Sequence, residues 1–134
     1  MTAATRSDRS ARLRRVFRLT RYACGGVAIR IGWHDAATDA LLAALGTRQA
    51  ALLTAWNPMS RPLPAAINIR RQRRLLARLR GRPVLSASGG LGRWSEEMLL
   101  VAAGPSRLAA LARRFRQHAI VELRRGRPAR LVWL

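Results

Sequence analysis

Glycine and proline cut this chain into short segments whose apolar spacing switches repeatedly between the helical and the strand period, and that switching restricts the fold more than any other feature. After Asp8, Leu13, Val16, Phe17 and Thr20 recur at helical spacing, until Gly25 and Gly26 make a break. Val27 to Ile31 then alternates like a strand. A helix from Thr38 to Leu45 follows the turn Gly32 to Asp35 and stops at Gly46. Ala50 to Trp56 reads as a buried strand, and Pro64 opens a helix that runs to about Arg80. Val84 to Ala87 and Met98 to Ala103 read as strands around SGGLGRWSEE, and Pro105 and Ser106 start a helix with Leu108, Leu111, Ala112 and Phe115 on one face. Ala119 to Leu123 and Ala129 to Trp133 close the chain as a hairpin.

This order excludes an all-helical or all-strand protein. It predicts an α/β fold, with α+β as the alternative: one domain over residues 8–134, a mixed sheet of five to six strands, and three to four packed helices. Residues 1–7 are expected to be frayed. A chain of 134 residues buries enough surface to need no metal or disulfide.

Cys24 is the only cysteine, which excludes an internal disulfide and a multi-thiolate zinc site. A reducing cytoplasm is the expected location. Arg18 and Arg21 interrupt the apolar N-terminal stretch, so no secretion signal is expected, and no apolar run reaches the length of a membrane span.

All 26 basic residues are arginine, against 6 acidic ones, a net charge of +20. Arginine pairs bidentately with phosphates, so nucleic acid or another polyanion is the partner this charge favours. A compositional bias would also give arginine without lysine. The expected contacts are Arg70, Arg71, Arg73, Arg74 and Arg78 on one helix and Arg113, Arg114 and Arg116 on another. No membrane partner is expected.

The helix after Pro64 has an inward stripe of Ala65, Asn68, Ile69, Gln72, Leu75, Leu76 and Leu79. Two amides thus replace apolar residues in its first turns. Buried amides need partners, and the nearest unladdered backbone is the turn Trp56 to Pro62. Asn68 and Gln72 are therefore expected to brace that turn from beneath, leaving Trp56, Asn57, Ser60 and Gln117 as candidate ligand contacts. Glu97 is the candidate acid or base of a small-molecule site, and since neighbouring strand residues point to opposite faces, Glu96 and Glu97 read as a poor acid/base pair.

GGLGRWSEE lacks the lysine and the following helix of a phosphate loop and reads as a hairpin connection. His34, Asp35 and Asp39 lack a third strong ligand, and Asp35 reads as a helix cap, so neither metal nor cofactor is expected. No motif dictates a reaction. A binding or accessory role is expected ahead of an enzymatic one.

TRYACGGVAIRIG, LLTAWNPMSRPL, the Asn68 to Leu79 helix, GRWSEEMLLVAAG and FRQHAIVEL together resemble an uncharacterised family of small bacterial proteins catalogued only as a domain of unknown function. The resemblance runs from about Leu13 to Trp133. Its most specific part is Thr54, Ala55, Trp56, Asn57, Pro58 and Ser60, continued in Asn68, Trp94, Glu97 and the Phe115 to Val121 stretch. Met98, His118 and Pro64 depart from it, standing where a small hydroxyl residue, Asn and a capping residue are usual. The resemblance marks a location and implies no chemistry.

Overall fold

The computed structural model describes residues 3–134, with side chains from Arg6 onward, so the expectation for residues 1–7 falls in part outside the described residues. Helix α1 spans Ala3–Leu19, with Asp8 inside it and paired to Arg12 one turn on. Strands β1 (Arg21–Cys24) and β2 (Val27–Ile29) follow, then α2 (Ala36–Ala44) and β3 (Gln49–Leu53). After a single 3₁₀ turn at Pro58–Ser60 come α3 (Ala65–Ala77), β4 (Val84–Leu91), β5 (Trp94–Val101), α4 (Pro105–Arg114), β6 (Ala119–Arg124) and β7 (Arg130–Trp133).

The seven strands form one sheet in the order β2-β1-β4-β5-β3-β6-β7, and every neighbouring pair is antiparallel. The expected count of five to six and the expected mixed sheet are both corrected. The missed strand is β1: Gly25 and Gly26, at φ of 56° and 77°, form the tight turn of a β1–β2 hairpin and not a break after a helix. SGGLGRWSEE is likewise two hairpin arms, with only Gly92 and Arg93 left between β4 and β5.

The mixed sheet was expected because helices and strands alternate, yet each crossover here skips a strand. β3 and β4 run the same way with β5 between them, and β5 and β6 run the same way with β3 between them. Residues 49–124 are thus two interlocked split βαβ units, the arrangement of a ferredoxin-like domain. The β1–β2 hairpin extends one edge and β7 the other.

Side-chain alternation along the strands splits the core in two. Ala51, Leu53, Leu99, Val101 and Ile120 face α3 and α4 through Leu75, Leu79, Leu108 and Ala112. Ala50, Leu52, Met98, Leu100 and Leu123 face the other way, against Leu41 and Leu42 of α2. The sheet curls until its edges touch: Ile31 and Ala129 form a parallel bridge, Gly32 N–H donates to Ala129 O (2.8 Å) and Ala129 N–H to Trp33 O (3.0 Å). Among the described residues, no residue of α1 belongs to either core. No helix among them is long and apolar enough to cross a membrane.

Candidate functional site

The chain leaves β3 between β5 and β6 and must turn before entering α3. That turn is where backbone strain gathers. Among the described residues, the non-glycine residues with positive φ are Asn57 (46°), Met59 (54°), Ser60 (57°) and Arg116 (57°), three of them in the turn. The fourth is tied to it, since Met59 N–H donates to Arg116 O at 2.7 Å. Each such residue costs about 1–2 kcal/mol, least for asparagine, and strain of this kind concentrates at functional sites.

Buried amides hold the turn. Asn68, 1% exposed, accepts from Asn57 N–H (2.9 Å) and donates to Asn57 Oδ1 (2.7 Å) and Leu63 O (3.2 Å). Gln72 accepts from Ala55 N–H (2.8 Å) and donates to Glu97 O (3.3 Å). The Thr54 hydroxyl donates to that same carbonyl at 2.6 Å and accepts from Trp56 N–H. Asn57 is the hub above them: its Oδ1 also accepts from Leu63 N–H (3.0 Å), and its Nδ2 donates to Glu96 Oε2 (3.4 Å).

Between this turn and α1 lies a cavity of about 290 Å³. Its polar wall is Thr20, Asn57, Ser60, Glu96, Gln117 and His118, and Phe17, Pro62 and Trp94 supply apolar surface. Burial raises the Glu96 carboxyl to about 7, while the Asn57 hydrogen bond pulls in the opposite direction. Gln117 donates to Trp56 O (3.0 Å) and Phe115 O (3.2 Å), which fixes its amide at the wall. A second cavity of about 660 Å³ adjoins across Leu13 and His118 and opens toward Arg6, Arg9, Arg61 and Arg116. α1 roofs both, pinned where Phe17 meets Trp133 edge-on (6.0 Å) and Arg14 lies 4.9 Å from the same ring, whose other neighbour is the stacked His118 (5.4 Å).

Sequence positions and spatial positions differ in instructive ways. Asn57, Ser60 and Gln117 meet at the inner cavity, whereas Trp56 lines neither cavity and contributes through its backbone. Glu97 is exposed on the other side of β5, held only by its carbonyl; the carboxyl in the cavity is that of Glu96. Parity carries the signal: Trp94, Glu96, Met98 and Leu100 share a face, and Met98 and Leu100 are core. Phe17 and Thr20 were not legible as site residues, because α1 and the residue after it reach the cavity only through tertiary packing, and Trp94 and His118 join them there.

Among the arginines, Arg70, Arg73, Arg74, Arg78, Arg113, Arg114 and Arg116 are exposed. Arg71 is half-buried and committed to carbonyls, donating to Ala55 O (2.8 Å) and Phe115 O (2.7 Å). Cys24 is buried, which pushes its thiol up, and its Sγ lies 3.4 Å from Ser86 O. Asp35 caps α2 through Thr38 N–H (2.8 Å), and His34 contacts Asp39 at 2.8 Å.

Residues 53–120 match the family of proteins of unknown function DUF3293. The chain belongs to this family. No curated protein and no solved structure matches it. The DUF3293 segment starts at the last residue of β3 and ends just inside β6, so it contains the strained turn, α3, the β4–β5 hairpin and α4. Asn57, Ser60, Asn68, Gln72, Glu96, Arg116 and Gln117 all fall within it. α1 and Trp133, the roof and its pin, fall outside the DUF3293 match.

Proposed function

We propose that the protein binds a small organic molecule in the cavity at the end of β3, with Glu96 as the group that holds or exchanges a proton with it. The observation that carries this reading is the gathering of three left-handed non-glycine residues, Asn57, Met59 and Ser60, in one turn to which a fourth, Arg116, is hydrogen-bonded, with Asn57 also contacting a cavity-facing carboxyl at 3.4 Å. Strain maintained at that spot, with three amides engaged to hold it, exceeds what a connection between β3 and α3 requires. A free, buried Cys24 suits a reducing compartment such as the cytoplasm.

The test is a metabolite screen by thermal shift on the full chain, repeated with Glu96→Gln and Trp94→Ala. Hits from this cavity lose their shift in both variants. Hits whose shift is unchanged in both place binding elsewhere and defeat the reading.

A second reading, polyanion binding, is favoured by one specific observation. α3 and α4 lie side by side on one face of the sheet, and neither helix contains a carboxylate. The opposite face, which ferredoxin-like RNA binders leave open for base stacking, is covered by α2. Contact would therefore be with phosphates alone, through the arginines of α3 and α4.

A further inference from the structure

Among the described residues, the two adjoining cavities differ in the ionisable groups along their walls. Four guanidinium groups, Arg6, Arg9, Arg61 and Arg116, line the outer one, and no carboxylate does. The inner one has a carboxyl group, Glu96, and no arginine. A ligand lying across Leu13 and His118 therefore meets cations at one end, and at the other an acid with amide and hydroxyl groups.

Placement of the arginines follows from the same local structure as the site. Arg6 and Arg9 stand three residues apart on α1 and so project from one side of the helix. Arg61 directly follows the 3₁₀ turn, and Arg116 is the left-handed residue whose carbonyl receives Met59 N–H. The strained turn thus orders two of the cations as well as the Asn57–Glu96 pair, which makes mouth and chamber parts of one construction.

Chemistry narrows the ligand. Four guanidiniums exceed the need of a single carboxylate, whereas a phosphate monoester carries about −1.5 to −2 charge and three acceptor oxygens. Among the described residues no arginine lines the inner chamber to pair with a second anion, so the rest of the molecule is uncharged there. Trp94 and Phe17 offer aromatic surface to a planar body, and Glu96, Gln117 and Ser60 offer partners to its polar edge.

Resting on the small-molecule reading above, we infer that the cleft takes a small organic phosphate of mononucleotide type, its phosphate among Arg9, Arg61 and Arg116 and its ring in the chamber beside Trp94 and Glu96. The experiment is isothermal titration of the full chain, at physiological salt, with adenosine monophosphate, adenosine and inorganic phosphate as probes. The monophosphate binds at least about tenfold more tightly than either fragment. Arg61→Gln combined with Arg116→Gln weakens it by roughly tenfold or more and leaves adenosine unchanged. Trp94→Ala weakens the monophosphate and adenosine alike. Should the paired substitution disturb folding, Arg9→Gln and Arg116→Gly carry the same expectation, the glycine relieving a positive φ.

Equal binding of monophosphate and adenosine overturns the phosphate assignment while leaving a small-molecule site in place. Equal binding of monophosphate and inorganic phosphate, insensitive to Trp94→Ala, overturns it as mere attraction of anions to a basic protein. Absence of binding by all three probes at about 1 mM overturns it as well. Whether the small-molecule reading falls too is then read from the metabolite screen, which uses neither the probes nor the arginine variants.

Discussion

Glu96 carries an energetic cost that depends on pH. Its half-buried carboxyl accepts from Asn57 Nδ2 at 3.4 Å, and burial raises it to about 7 from the ordinary value of 4.5. The folded state then binds this proton more tightly than the unfolded chain does. Below about pH 4.5 both states are protonated and the group costs nothing; as pH rises toward 7 the unfolded chain ionises first, so stability falls, and above 7 the whole cost is present. Its upper bound is about 3 kcal/mol, from 1.36 kcal/mol per unit. Glu96→Gln removes this slope: urea denaturation at pH 5 and pH 8 shows the wild type losing stability relative to the variant across that interval. An identical pH dependence in the two proteins contradicts a buried, proton-holding carboxyl.

At the scale of elements, α1 stands apart. Both cores close without it, and it is attached over the cleft by Leu13, Phe17 and the Arg14–Trp133 contact. Phe17→Ala should therefore cost only about 1 kcal/mol, against the 2–5 kcal/mol expected for Leu75→Ala in the α3 core. Thermal melts of both variants check the difference, and limited trypsin digestion should cut the arginine-rich α1 first. The β4–β5 hairpin makes a second prediction. A Cβ at Gly89 would sit 3.0 Å from Met98 Sδ and 3.2 Å from Tyr22 Cδ1, so Gly89→Ala costs about 1–3 kcal/mol by overpacking. In a Met98→Ser background the sulfur is gone and that penalty should shrink, a coupling a double-mutant cycle measures. These elements also show what the sequence could disclose. Long periodic stretches such as α3 and α4, and the bracing positions of Asn68 and Gln72 on α3, were legible because helix spacing is local. β1 was not, since four residues with Tyr22 and Cys24 inward and a double glycine behind them look like the end of a helix. Strand order was not either: skipping a neighbour leaves no mark on the order of elements, so the alternation that suggested a mixed sheet fits the split antiparallel arrangement equally well.

For the whole molecule the question is where a net charge of +20 sits. The six carboxylates are unevenly spread: Asp8 is on α1, Asp35 and Asp39 lie at and in α2, Glu96 and Glu97 are on β5, and Glu122 is buried on β6 against Arg130 at 2.8 Å. α3 and α4 have none, so their shared outer surface carries uncompensated arginine. Such a surface attracts any polyanion through release of condensed counterions, and affinity should fall by orders of magnitude between low and physiological salt. Fluorescence anisotropy with a labelled single-stranded oligonucleotide across a salt series measures this. The triple substitution Arg73→Glu, Arg78→Glu and Arg113→Glu should then flatten the salt slope and weaken binding whatever the base sequence, because phosphate contacts carry no sequence information. It should leave thermal shifts from cleft ligands intact, whereas Trp94→Ala should do the reverse. If the triple substitution leaves both affinity and slope unchanged, the arginines of α3 and α4 do not carry the polyanion binding and their charge is compositional.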